Sequence, residues 1–235
     1  VYADGEVNPA DLIPGDDSGV CGPPYAPAPL FQSCADFGVE CRSCLIVEKQ
    51  TIPDGDSQLF AFAGDAGGSI SDGQQIVKGG LLPGTYYSTE TVPGGWNLTD
   101  LTCSRIVGSE SSWTTDLSKA NATITLEAGE TVKCTFTDEK LGTIIVKKVS
   151  VGGVATFNFT SDIPGGSPSF NITTASGSTN QTVFSNLAAG IYHVTESGPS
   201  LPWNFTDLSC VRDQTISSQT ATINLAAGQT VTCTF

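Results

Sequence analysis

The chain has 235 residues, with 10 Lys and Arg against 24 Asp and Glu and a formal net charge of −14. That balance argues against nucleic acid and against an anionic membrane surface as partners, since both reward clustered Lys and Arg. No apolar run reaches the roughly 18 residues of a spanning helix, so direct membrane insertion is not expected.

Only 14% of the residues are charged, and the acidity reads as solubility in an exposed setting. Eight Cys, an even number, suggest paired disulfides and an extracellular or cell-surface protein, with Val1 read as the N-terminus left after a secretion signal is removed.

Residues 1–43 are rich in Asp, Gly and Pro, and the stretches GPPYAP and APAPL favour extended or polyproline conformation. They read as an extended arm without a core of its own. Cys21, Cys34, Cys41 and Cys44 crowd its end. With one C-x-x-C and no second, structural disulfides are the reading rather than a redox or zinc site, and three pairings stay open.

Residues 44–140 read as a first domain. CLIVEK alternates as a strand with Leu45, Val47 and Lys49 on one face. PDGD at Pro53–Asp56 is a turn, too short for a calcium loop of the helix-loop-helix kind, and LFAFAG is the next strand. LLPGTYYSTE turns and then extends, placing Tyr86, Ser88 and Glu90 on one face. WNLTDLTC follows at Trp96–Cys103, and ATITL and TVKCTFTD close the domain.

Residues 141–235 repeat that plan. WNFTDLSC at Trp203–Cys210 echoes the Trp motif, and Ala221–Phe235 echoes Ala122–Phe136. Trp96 and Trp203 lie 107 positions apart, Cys134 and Cys233 only 99. The first copy therefore carries eight extra residues, expected as a longer loop around Val107–Ala120. A period of about 100 residues is a whole small domain. Short strands every 8–12 residues or so, with no helical period, mean an all-β chain of two tandem Ig-like β-sandwiches behind the arm.

The repeat carries both members of a cysteine pair, which predicts Cys103–Cys134 and Cys210–Cys233. Each closes a short loop and contributes about 3 kcal/mol on the chain-entropy account. Six asparagines, Asn97, Asn121, Asn158, Asn171, Asn180 and Asn204, stand in N-x-T. The functional reading is N-glycosylation with covalent glycans; the plainer one is Thr-rich strands with Asn at their ends. His193 falls on the face opposite Tyr192 and Glu196, toward solvent. No Ser-His-Asp set, metal-ligand cluster or cofactor motif accompanies it, so neither an enzyme nor a cofactor or metal site is the reading. Trp96 and Trp203 are expected in the core or between sheets rather than stacked on sugar.

The opening strands IVEK and IVKK, the twice-used L-x-x-G-x-Y-x-x-x-E, the Trp motif after it and the closing A-G-[EQ]-T-V-x-C-T-F resemble the prealbumin-like (transthyretin-like) domains of surface proteins. These include the collagen-adhesin B-type repeats and the major pilins of Gram-positive bacteria. The resemblance covers about Cys44–Phe235 and implies a prealbumin-like sandwich. It also implies an isopeptide bond from a first-strand Lys to a last-strand acid, assisted by a buried Glu, at positions matching Lys49, Asp138 and Glu90. The second copy has Lys148 and Glu196, with the acceptor position two residues beyond Phe235.

The expected function is an extracellular structural subunit of a pilus-like filament or surface stalk. Identical subunits would form a homo-polymer head to tail, the N-terminal arm of one complementing the abbreviated sheet edge of the next. The alternative is a surface adhesin binding a glycan or protein through its loops.

Overall fold

The computed structural model describes residues 42–175, 179–198, 201–211 and 215–235. Residues 1–41 of the expected arm, with Cys21, Cys34 and Cys41, lie outside the described residues, and Ser43, the last residue assigned to the arm, opens the first strand. Val, Ile, Thr and aromatic residues at every second position favour pleated strands over helix. The only helical turn among the described residues is a 3-10 turn at Leu117–Lys119, capped by Asp116.

The chain divides into two compact units, the first running to Asp138 and the second taking up at Glu139 for its main body. The first contains β1 (Ser43–Ile52), β2 (Phe60–Gly64), β3 (Gly68–Ile70), β4 (Gln75–Leu81), β5 (Gly84–Thr91), β6 (Trp96–Val107), β7 (Ser112–Asp116), β8 (Asn121–Leu126) and β9 (Thr131–Lys140). They form a four-stranded sheet in the order β4-β1-β9-β6 and a five-stranded sheet in the order β3-β2-β5-β8-β7.

The second unit has β10 (Gly142–Val149), β11 (Thr156–Ser161), β12 (Ser169–Thr173), β13 (Thr179–Leu187), β14 (Gly190–Glu196), β15 (Ser209–Cys210), β16 (Thr215–Ser217), β17 (Thr220–Leu225) and β18 (Thr230–Thr234). Its sheets run β13-β10-β18-β15 and β12-β11-β14-β17-β16. Strand for strand this is the topology of the first unit, so the sequence repeat is a repeat of a whole sandwich. Its first and last strands, β10 and β18, are parallel neighbours, Thr143 opposite Thr230 through Lys147 opposite Thr234.

Each core lies between a unit's two sheets. In the second unit Ile144, Val146, Phe159, Ile223, Val231 and Cys233 are fully buried. The Phe159 and Phe235 rings meet edge to face at 5.2 Å, as Phe62 and Phe136 do at 5.1 Å in the first. Trp203 packs against this core, 5.5 Å from Phe157. The turn joining the last two strands needs a left-handed residue, and glycine supplies it twice, Gly129 at φ 71° and Gly228 at φ 65°.

Two expectations are refined. The eight extra residues around Val107–Ala120 do not form a long loop; β6 extends to Val107, and β7 and the 3-10 turn take up most of the rest. The two Trp motifs also differ. WNLTDLTC lies wholly within β6, whereas only Ser209 and Cys210 of WNFTDLSC are paired. Ser209 faces Thr234 and Cys210 faces Cys233 in an antiparallel ladder.

Candidate functional site

Alternation sends Leu45, Val47 and Lys49 of β1 inward, and Val132, Cys134, Phe136 and Asp138 of β9 likewise; all seven are fully buried. β1 and β9 are neighbours in one sheet. From the facing sheet, β5 turns Ser88 and Glu90 into the same core. The fold thus brings Lys49, Glu90 and Asp138, far apart in sequence, into one dry place.

Lys49 Nζ contacts Asp138 Oδ2, donates to the Phe136 carbonyl at 3.0 Å, and lies 3.3 Å from Glu90 Oε1. It sits 4.3 Å from the centroid of the Phe60 ring, a cation-π contact. Asp138 Oδ1 and both Glu90 oxygens make no hydrogen bond; the Lys49–Glu90 approach is close enough for attraction but is not aligned as one. Three bare charges in such a site would be costly. Burial, and next the Asp138 carboxylate beside it, push the Glu90 carboxyl up to about 8, while Lys49 pulls the other way. Glu90 therefore carries a proton at neutral pH. Chemically this is an amine held against a carboxyl group, next to a second carboxyl able to give and take a proton.

The second unit has two of these three parts. Lys148 and Glu196 are buried, with Nζ at 2.7 and 2.9 Å from the Glu196 oxygens, and Lys148 lies 4.3 Å from the Phe157 ring as Lys49 lies over Phe60. Phe235 matches Phe136, so the register position matching Asp138 is two residues further on. The Ser88 hydroxyl, buried without a partner, has Val194 as its counterpart.

Cys103 is joined to Cys134 and Cys210 to Cys233, each with Cα atoms 4.0 Å apart. Both bridges tie neighbouring strands of one sheet, β6 to β9 and β15 to β18. Cys44 is disulfide-bonded as well. Asn97, Asn158, Asn171, Asn180 and Asn204 are exposed and Asn121 is half-buried. His193 is half-exposed, its Nδ1 2.7 Å from Asp162.

Sequence reasoning missed Glu130. Its carboxylate accepts the backbone N–H groups of Ser109, Glu110 and Ser111 at 2.7, 2.8 and 2.7 Å. Burial works against the charge, but the Ser111 hydroxyl and these three donors outweigh it and hold the group at about 2. Gly108 turns the chain there at φ 93°, with a Cβ position that the Glu130 carboxyl already fills. The available signal was that the extra residues and an acid at this turn occur together in one copy, the other having Gln229.

A family profile described as a prealbumin-like fold domain matches residues 45–140 and again residues 144–235. No curated protein matches the chain in sequence. Among solved structures, the chain is similar to the Bacillus anthracis TIE protein at 16% identity, covering 83% of this chain and 34% of that one, with a TM-score of 0.30. It is similar to a streptococcal ancillary pilin at 13% identity, covering 83% and 62%, with a TM-score of 0.32. It is similar to the shaft pilin SpaA of Lactobacillus rhamnosus GG at 11% identity, covering 82% and 97%, with a TM-score of 0.27. The chain thus spans about a third of the first of these proteins and about three-fifths of the second.

Proposed function

This chain belongs to the prealbumin-like fold domain family, and from that premise we propose that it is an extracellular, non-enzymatic structural subunit of a pilus-like filament or surface stalk. The observation that carries this reading is how β9 is held. β9 is the last strand of the first unit, so tension along the chain leaves the unit through it. Its neighbours are β1, the first strand, and β6. Lys49 of β1 contacts Asp138 of β9 on one side, and Cys103 of β6 is bridged to Cys134 of β9 on the other. A covalent tie between first and last strands passes force across the unit without loading the rest of its core.

Lys49, Glu90 and Asp138 form that tie as an isopeptide. Transfer of one proton from Lys49 to Asp138 across their contact gives the neutral amine and neutral acid that the reaction starts from. The Nζ–Cγ bond forms and the bond from Cγ to the hydroxyl breaks; the protonated Glu90 gives its proton to the departing hydroxyl, which leaves as water, and takes the amine proton in its place. The second unit adds shear geometry: its parallel β10 and β18, pulled from opposite ends, load the whole ladder at once.

Assembly is head to tail between identical subunits, the N-terminal arm of one pairing with a sheet edge in the second unit of the next. The support is that β15, at the margin of the β10–β18 sheet, is only two residues long. Electron microscopy of native material tests the function: regular filaments are expected, and isolated particles would overturn it. Deleting Val1–Asp17 should leave folded monomers, and continued filament growth would remove the arm from the account.

A further inference from the structure

We propose that the outer face of the second unit's five-stranded sheet is N-glycosylated, on Asn158 and Asn171, with Asn204 as a third acceptor. Asn158 of β11 and Asn171 of β12 face each other directly in the ladder, and both are exposed. Residues two apart on a strand share a face. Each Asn therefore presents its amide on the same side as the hydroxyl of its triplet, Thr160 or Thr173, the two groups an oligosaccharide transferase must grip together.

The structure sorts the six triplets, which the sequence could not. Among the described residues the side chains of Asn158, Asn171 and Asn204, and of Asn97 in β6, make no hydrogen bond; in the triplet of Asn97 the Thr99 hydroxyl donates to the Thr137 carbonyl at 3.2 Å. Asn121 is committed to the fold: its amide donates to Thr89 Oγ1 at 2.7 Å and its carbonyl accepts from Thr123, the hydroxyl of its own triplet, at 3.1 Å. Asn180 donates to the Thr173 carbonyl and accepts from Gln181 N–H, both at 2.8 Å.

Strand alternation sets which face these Asn take, but not that two of them should oppose each other. Asn is disfavoured within strands, and Thr meets many of the other outward positions of this sheet, as in the Thr156–Thr173 and Thr195–Thr220 hydroxyl pairs at 2.8 Å, beside Ser169, Ile191, His193 and Asn224. Yet two Asn oppose each other mid-ladder. The face itself needs cover. In a chain of net charge −14, these five strands carry one acidic residue, Glu196, which points inward, and no Lys or Arg. A sheet face without outward Asp, Glu, Lys or Arg on its strands, with β12 and β16 at its margins, is prone to pairing and stacking with its like. Hydrated glycans on Asn158 and Asn171 block that approach.

The modification needs a lipid-phosphate-linked oligosaccharide as co-reactant. Asn Nδ2 bonds to C1 of the first sugar, the C1–O bond to phosphate breaks, Nδ2 gives up a proton, and the lipid phosphate leaves with the bonding electrons. This inference does not depend on the filament reading. It is tested on protein purified from its native source, by proteolysis and mass spectrometry of intact glycopeptides. Sugar-mass additions are expected on the peptides bearing Asn158, Asn171 and Asn204, with Asn121 bare. Unmodified Asn at both 158 and 171, or Asn121 occupied as fully as they are, overturns the proposal. In the native host, Asn158→Gln with Asn171→Gln should remove those additions while leaving that at Asn204.

Discussion

Glu90→Gln is the sharpest perturbation of the buried triad. Gln keeps the shape of Glu90 but neither holds nor passes an acid proton, so the Lys49–Asp138 bond is not made. Corrected for the substitution, the variant should be heavier than the wild type by one water, about 18 mass units. The stability effect follows from the loop the bond closes. Lys49 and Asp138 are 89 residues apart, but the Cys103–Cys134 bridge short-circuits 31 of them, leaving a loop of about 58. Closing a loop of that length removes about 4 kcal/mol of unfolded-chain entropy. In a unit of about 100 residues each kcal/mol moves the melting temperature by about 4–8 °C, so the first unit should melt about 15–30 °C lower. Intact mass reads the bond, and scanning calorimetry of the full chain reads the loss, with the second unit's transition as internal reference. A wild-type mass short only of two hydrogens per disulfide, or the same water loss in the variant, would refute the reasoning.

Lys148→Met should destabilise the second unit by about 3–5 kcal/mol, because Glu196 is left buried without its partner; adding Glu196→Leu should restore most of this in denaturant unfolding. Glu130→Gln weakens the bonds to three backbone N–H groups and should cost the first unit about 1–3 kcal/mol, read as faster hydrogen exchange at Ser109, Glu110 and Ser111. The same contact sets a pH dependence. Folding lowers the Glu130 pKa from 4.5 to about 2, so its stabilisation is complete above pH 4.5 and is lost as pH falls toward 2. Replacing Cys210 and Cys233 together by Ala opens a bridge spanning 23 residues and should lower the second unit's stability by about 3 kcal/mol.

The all-β class and the doubled plan were legible because both rest on local pattern. Leu45, Val47 and Lys49 alternate, and the ordering Tyr86, Ser88, Glu90 alternates with them, so the inward face of each strand follows from period alone. That same period set Lys49 and Asp138 inward, and the resemblance said which inward residues meet. Tertiary context was not legible. Glu130 stands at a turn where its copy has Gln229, and only the fold brings Gly108–Ser111 over it. The two Trp motifs show the limit most plainly. Near-identical sequence forms a continuous strand beside the ten-residue β9 and just two paired residues beside the five-residue β18. Propensity proposes a strand, but a ladder needs partner N–H and C=O groups at the matching register.

The buried lysines extend this reasoning from structure to purpose. A buried ion pair is weak support for stability, since apolar side chains of like volume in its place usually do as well or better. Lys49–Asp138 and Lys148–Glu196 are therefore poorly explained as stabilisers of a core that already contains Phe60, Phe136, Phe159 and Ile223 at full burial. The proposed isopeptide gives the first of these pairs a chemical use, since Lys49 Nζ contacts Asp138 Oδ2 and lies 3.3 Å from Glu90 Oε1. The first unit supplies all three groups. In the second, Lys148 and Glu196 repeat the amine and the neighbouring carboxyl, with Nζ at 2.7 and 2.9 Å from the Glu196 oxygens. One strand alternation thus places both buried lysines, Lys49 beside Asp138 and Glu90 and Lys148 beside Glu196.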